Sequence, residues 1–181
     1  MKKNKLTTLV LLAFTLLLFL PRVIKAQDDK DKMLNDSKKA KAAFLKSDPS
    51  MSGLFNSSYG YVIFPNVGKG AVVVGGSGGR GIVYTKVKAI GTAKMVQVTV
   101  GAQVGGQAYR EIIFFENKAA MDRFKENKLE FSGQVSAVAA KAGASANVKY
   151  REGVAVFTEE ISGLMLEASI GGQKFTYEVF K

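Results

Sequence analysis

From Tyr59 onward the chain changes its period. Tyr59-Gly-Tyr-Val-Ile-Phe64, Ala71-Val-Val-Val74 and Ile82-Val-Tyr-Thr-Lys-Val87 are short runs of β-branched and aromatic residues set apart by glycine. Such residues suit the pleated, half-buried surface of a sheet. Met95 to Val104 alternates, with Val96, Val98, Val100, Ala102 and Val104 set against Gln97, Thr99, Gly101 and Gln103. A period of two sends the two sets to opposite faces of a half-buried strand. Tyr109–Phe115 reads as its hairpin partner, and a glycine-dense turn precedes the strand at Ile82. Further extended stretches are expected at 129–140, 146–151, 154–158, 164–170 and 175–180. Val104-Gly-Gly-Gln and Ile170-Gly-Gly-Gln read as recurrent hairpin turns, where glycine supplies positive φ.

Two segments keep a helical period. Between Asp31 and Lys46, at about 100° per residue, Met33, Leu34, Ala40, Phe44 and Leu45 fall within one arc. Lys38, Lys39 and Lys46 lie opposite, and Lys41 sits within the arc, where its stem can snorkel. This basic amphipathic helix should end before Asp48-Pro49, because the residue before proline disfavours α. A short turn or helix follows around Met51–Ser57. Asn117 is a good N-cap for a helix at 118–126 that turns Ala120, Met121 and Phe124 inward. The expected class is α+β: an N-terminal amphipathic helix or helices packed on a curved, mostly antiparallel, barrel-like sheet, with one further short helix.

The N-terminus has the layout of a secretory signal peptide. Met1-Lys2-Lys3-Asn4-Lys5 is basic, Leu6–Leu20 is apolar, and Ile24-Lys25-Ala26 ends small before the polar Gln27-Asp28-Asp29. Residues 1–26 are expected to be cleaved, leaving 27–181 as a single domain in the periplasm or outside the cell, peripheral to a membrane. The cut removes five basic residues and no acids, which lowers the net charge from +11 to +6. A mildly basic exported domain without long Lys/Arg blocks is a poor candidate for nucleic acid.

The chain contains no His and no Cys. That excludes Ser-His-Asp and Cys-His triads, disulfides and the usual zinc and haem ligand sets, so no metal or cofactor is expected. Gly76-Ser-Gly-Gly-Arg-Gly81 fits the dinucleotide-binding spacing, but strand rather than helix follows it. Ser77 with Lys69 is the one nucleophile pair that composition leaves open, and nothing beyond residue type supports it. Glu159 and Glu160 are adjacent, so on a strand they diverge. No catalytic set emerges. What remains is a basic amphipathic surface. Lys38, Lys39, Lys41 and Lys46, with Lys69 and Arg80 from the glycine-rich region, are the candidate contacts for anionic headgroups. Met33, Leu34, Phe44 and Leu45 are the candidates for membrane insertion. The competing reading packs those apolar residues on the sheet and leaves the lysines as a solvated face.

At Tyr59-Gly-Tyr-Val-Ile-Phe-Pro-Asn-Val-Gly-Lys-Gly70, Val74-Gly-Gly76 and Gly79–Tyr84 the sequence resembles the SYLF family of lipid-binding domains, also described as actin regulators in eukaryotes. Gly101–Gln107, Ile112–Phe124 and Gly163–Gly172 continue the resemblance, which covers roughly 32–177. It implies phospholipid binding through a basic N-terminal segment, here Asp31–Lys46, on a β-rich body. Thr92-Ala-Lys-Met-Val stands where many eukaryotic members carry a Trp-x-x-Pro-like stretch. That departure and the export signal weigh against phosphoinositide selectivity and actin binding. The expected activity is therefore non-enzymatic binding of an anionic phospholipid surface. The alternative is a carrier or structural protein that holds an apolar ligand in a barrel-like cavity.

Overall fold

The computed structural model describes residues 20–70, 74–100, 107–129, 131, 137–162 and 172–180. The signal-peptide run before residue 20, the Gly105-Gly106 turn and the strand expected at 164–170 lie outside the described residues. Contacts divide the chain after Asn35. The described part of the first unit is the opening stretch of helix α1 (Leu20–Ser47), where the Gln27 amide donates to Asp31 at 3.0 Å. The packing described below belongs to the second unit, Asp36–Lys181.

Helix α1 ends at Ser47, with Asp48 N–H donating to the Phe44 carbonyl at 2.8 Å. Asp48 then caps a 3₁₀ turn, Pro49–Met51, by accepting from Ser50 N–H, and α2 (Ser52–Ser57) follows at once. The strands are β1 (Gly60–Gly70), β2 (Val74–Thr85), β3 (Lys88–Val100), β4 (Gln107–Phe115), β5 (Ala137–Ala139), β6 (Val154–Ser162) and β7 (Gln173–Val179). Helix α3 (Lys118–Lys125) lies between β4 and β5, and Asn117 caps it as expected by accepting from Ala120 N–H. Among the described residues seven strands form one sheet in the order β5-β6-β4-β1-β2-β3-β7, antiparallel except for β5 with β6. Gly172 has the positive φ, 76°, that a turn into β7 requires.

Four local expectations are corrected. First, the glycine-dense segment before Ile82 is strand, not turn. A Cβ at Gly81 would lie 2.5 Å from the Ile63 carbonyl oxygen, and one at Gly79 would lie 2.9 Å from that of Asn66. These glycines let β2 pass the bulge between Phe64 and Val67 of β1. Second, β4 pairs with β1 and β6, not with β3. The tight Lys86-Val87 turn commits one edge of β3 to β2, and β7 takes the other. Third, 146–151 is not a strand. The buried Asp48 carboxylate draws in the N–H groups of Gly143 and Ser145 at 3.1 and 2.7 Å, bending the chain into turns just before this stretch. Fourth, β3 is half-buried with the opposite phase. Val96 is 58% exposed while Gln97 is 1% exposed.

The sheet curls strongly without closing. In strand order β7 lies four places from β4, which is ~19 Å on a flat sheet. Yet the Gln173 amide of β7 donates to Glu111 of β4 at 2.9 Å, and the rings of Phe64 and Phe175 lie 6.0 Å apart. The concave face holds Val62, Phe64, Val83, Met95, Ile113, Phe115, Val156 and Phe175, capped by Met121 and Phe124 of α3 and by Phe131. On the convex face Tyr61, Tyr84, Phe114 and Phe157 are buried with Phe55 of α2 and with Ala40 and Phe44 of α1.

Candidate functional site

Helix α1 is held by polar contacts as well as by Phe44. The Tyr84 hydroxyl donates to Ser37 Oγ at 3.0 Å. Lys41 Nζ donates to the Tyr61 hydroxyl at 3.3 Å and lies 4.1 Å from the centroid of the Phe55 ring. Farther along, Ser47 Oγ donates to Glu159 at 2.6 Å, and the same carboxylate pairs with Arg110 at 2.9 Å. Burial lowers the Lys41 pKa, and the cation is compensated by the π faces around it. Burial also lifts the Tyr61 phenol to about 12, with Tyr84 adding to the shift, so both hydroxyls stay protonated and keep donating or accepting.

This anchoring sorts the candidates. Lys38, Lys39 and Lys46 are exposed on α1, Lys39 and Lys46 on the side away from the sheet and Lys38 on the flank. No ion pair is seen for them among the described residues. Lys41 is turned inward and half-buried against the Phe55 ring. Phe44, a candidate for insertion, is 0% exposed: with α1 docked, its ring is part of the core. Leu45 is half-buried; Met33 and Leu34, in the first unit, are half-buried as well. Arg80 is exposed in the middle of β2, and Lys69 pairs in register with Ser77, its side chain being outside the description.

A second constellation sits on the concave face. Ser77, Gln97, Glu111, Thr158 and Gln173 are all buried, with Tyr109 beside them. Ser77 Oγ donates to Gln97 Oε1 at 2.9 Å, which commits the hydroxyl proton that a Ser-Lys pair would have to move. Glu111 is 0% exposed and accepts from Gln173 through Oε2, while Glu111 Oε1 and Gln173 Oε1 have no hydrogen-bond partner among the described residues. Burial lifts the Glu111 carboxyl to about 7, with the Gln173 bond acting against the shift. Burial, and then Glu111, also push the Tyr109 phenol up. Sequence reasoning passed over this group, although the phase of β4 contains it: Glu111 alternates with Tyr109, Ile113 and Phe115, all inward. Among the described residues no three His, Cys, Asp or Glu side chains are grouped to hold a metal.

The fold is that of an α+β domain with exposed lysines on its N-terminal helix. Residues 96–178 match the family model Ysc84, described as "Las17-binding protein actin regulator". The chain is also 32% identical, over 132 residues, to Beta cell expansion factor A of Aeromonas veronii, an alignment covering 72% of this chain. It spans about half (50%) of that relative's length. The chain belongs to the Ysc84 (SYLF) family, a lipid-binding or actin-regulator type of domain.

Proposed function

We propose that the protein is exported and binds the anionic surface of a phospholipid membrane, in the periplasm or outside the cell, without chemical turnover. One observation carries this reading: Lys38, Lys39 and Lys46 stand exposed on a helix whose other side is fixed to the sheet by Phe44, Ser37 and Ser47. Cations held this way approach a headgroup plane together, each contributing roughly 1 kcal/mol near an anionic surface. The family's lipid-binding or actin-regulator character agrees with work at a membrane surface. The carrier alternative needs room on the concave face, and Phe64, Phe124, Phe131, Phe175 and Met95 pack there.

Vesicle flotation of the processed protein tests the proposal. Binding should rise with phosphatidylglycerol content and weaken with salt, since exposed charges are screened within about 10 Å at 0.1 M. Replacing Lys38, Lys39 and Lys46 by Gln should reduce it roughly tenfold or more. Equal binding to neutral vesicles at high salt would overturn the electrostatic mechanism.

A further inference from the structure

Helix α1 covers only part of the convex face. Its contacts reach Tyr61 of β1, Tyr84 at the C-terminal end of β2, and Glu159 of β6. Beyond them outward residues of β2, β3 and β7 are exposed: Gly76, Gly78 and Arg80, then Lys94 and Val96, then Lys174, Thr176 and Glu178. In register, Arg80 lies opposite Lys94, and Lys94 opposite Thr176; Gly78 lies opposite Val96, and Val96 opposite Lys174. Three cations thus occupy adjoining positions of one uncovered surface. The nearest outward acid is Glu178 of β7, two residues beyond Thr176 and in register with Thr92, and no ion pair is seen for the three cations among the described residues.

We propose that this surface is a second membrane contact, in which Arg80, Lys94 and Lys174 meet the phosphate plane of an anionic bilayer across the bare backbone of Gly76 and Gly78. The inference rests on the membrane-binding reading above. Three features support it. Like charges directly opposite on neighbouring strands destabilise a sheet, so the Arg80–Lys94 pair works against folding unless an anion lies over it. The glycines divide in the same way. Gly79 and Gly81 are demanded by the neighbouring β1 backbone, whereas a Cβ at Gly78 or Gly76 would find its nearest contact at an ordinary 3.4 or 3.6 Å. Packing therefore does not require glycine at those two positions, and glycine there opens the strand to close approach from outside. The third feature is geometric. Side chains on one sheet face stand roughly perpendicular to it, so on a convex face they spread and do not converge. Cations spread in this way suit an extended layer of phosphates better than a single soluble phosphate, which needs converging donors. Val96, 58% exposed among them, adds an apolar contact that an interface would cover.

The test uses the full processed chain and equimolar phosphatidylglycerol–phosphatidylcholine vesicles. Changing Arg80, Lys94 and Lys174 together to Gln should weaken partitioning roughly tenfold or more. The same change should leave the urea midpoint equal or higher, because a repulsive pair is removed. Val96→Asp, a single exposed change, should weaken binding as well. If the sheet variants bind like wild type while Lys38→Gln, Lys39→Gln and Lys46→Gln together lose binding, the sheet surface is idle and the membrane reading stands. If the wild-type protein ignores these vesicles, both readings fall. Capture of inositol hexaphosphate or nucleic acid in preference to vesicles would replace the bilayer with a soluble polyanion.

Discussion

Glu111 and Gln173 explain each other at the level of single atoms. As a carboxylate, Glu111 leaves two buried acceptors, its own Oε1 and the Gln173 Oε1, without a hydrogen-bond partner among the described residues. A proton on Glu111 adds a donor to this acceptor-rich pair and removes a buried charge. This neutral pair joins β4 to β7 across the curl. Burial raises the folded value to about 7, so between the ordinary carboxyl range and pH 7 the native state keeps a proton that the unfolded chain has released. Stability falls as pH rises through that interval. Below it there is no penalty; above it the penalty is complete, at about 3 kcal/mol. Urea unfolding of wild type at pH 5 and pH 8 should show this loss. Glu111→Gln, whose amide can pair with Gln173 at any pH, should show a smaller one. An unchanged pH dependence in the variant would assign the loss elsewhere. Asp48, also buried, behaves oppositely. Burial acts to raise its pKa, but bonds from Ser145, Gly143 and Ser50 hold it low, so its contribution is present at neutral pH and lost in acid.

Among the elements, α1 decides how the protein meets a membrane. If it is a docked helix that shows only its lysines, Phe44→Ala removes a fully buried ring and should cost about 3–5 kcal/mol of stability. If it is instead a free arm whose ring enters lipid, the same change leaves the urea midpoint in place and lowers vesicle binding. The geometry predicts the first outcome. The helix was legible in the sequence because capping, proline and a 3.6-residue period all agree at its end, and the same agreement holds at Asn117 for α3. The glycine-rich part of β2 was not legible. Glycine signals a turn when read along one strand, and it signals close approach only when the bulged neighbour is known. Strand pairing was lost for a similar reason. Nothing local in β4 says that β1 and β6, distant in sequence, will flank it.

On the scale of the whole domain, curling separates two kinds of work. The concave side holds the buried polar group among Phe64, Phe115 and Phe175; the convex side of Asp36–Lys181 buries its own aromatic cluster under α1 and α2 and carries both cation sets. The sequence showed the first set through helical periodicity. It hid the second, because Arg80, Lys94 and Lys174 lie on three strands and become neighbours only through register. If the convex side faces the membrane, position in the fold should determine which residues meet lipid. The chain has no cysteine, so a single introduced thiol gives an unambiguous probe. An environment-sensitive fluorophore on Val96→Cys should shift to the blue with anionic vesicles. One at Glu126→Cys, exposed at the end of α3 on the concave side, should stay in water. High salt should reverse the first signal, because electrostatic attraction holds the surface in place and the valine is too small to hold it alone. A blue shift at both positions would mean that the domain is engulfed or unfolded by lipid, and a shift at Glu126 alone would turn the molecule over.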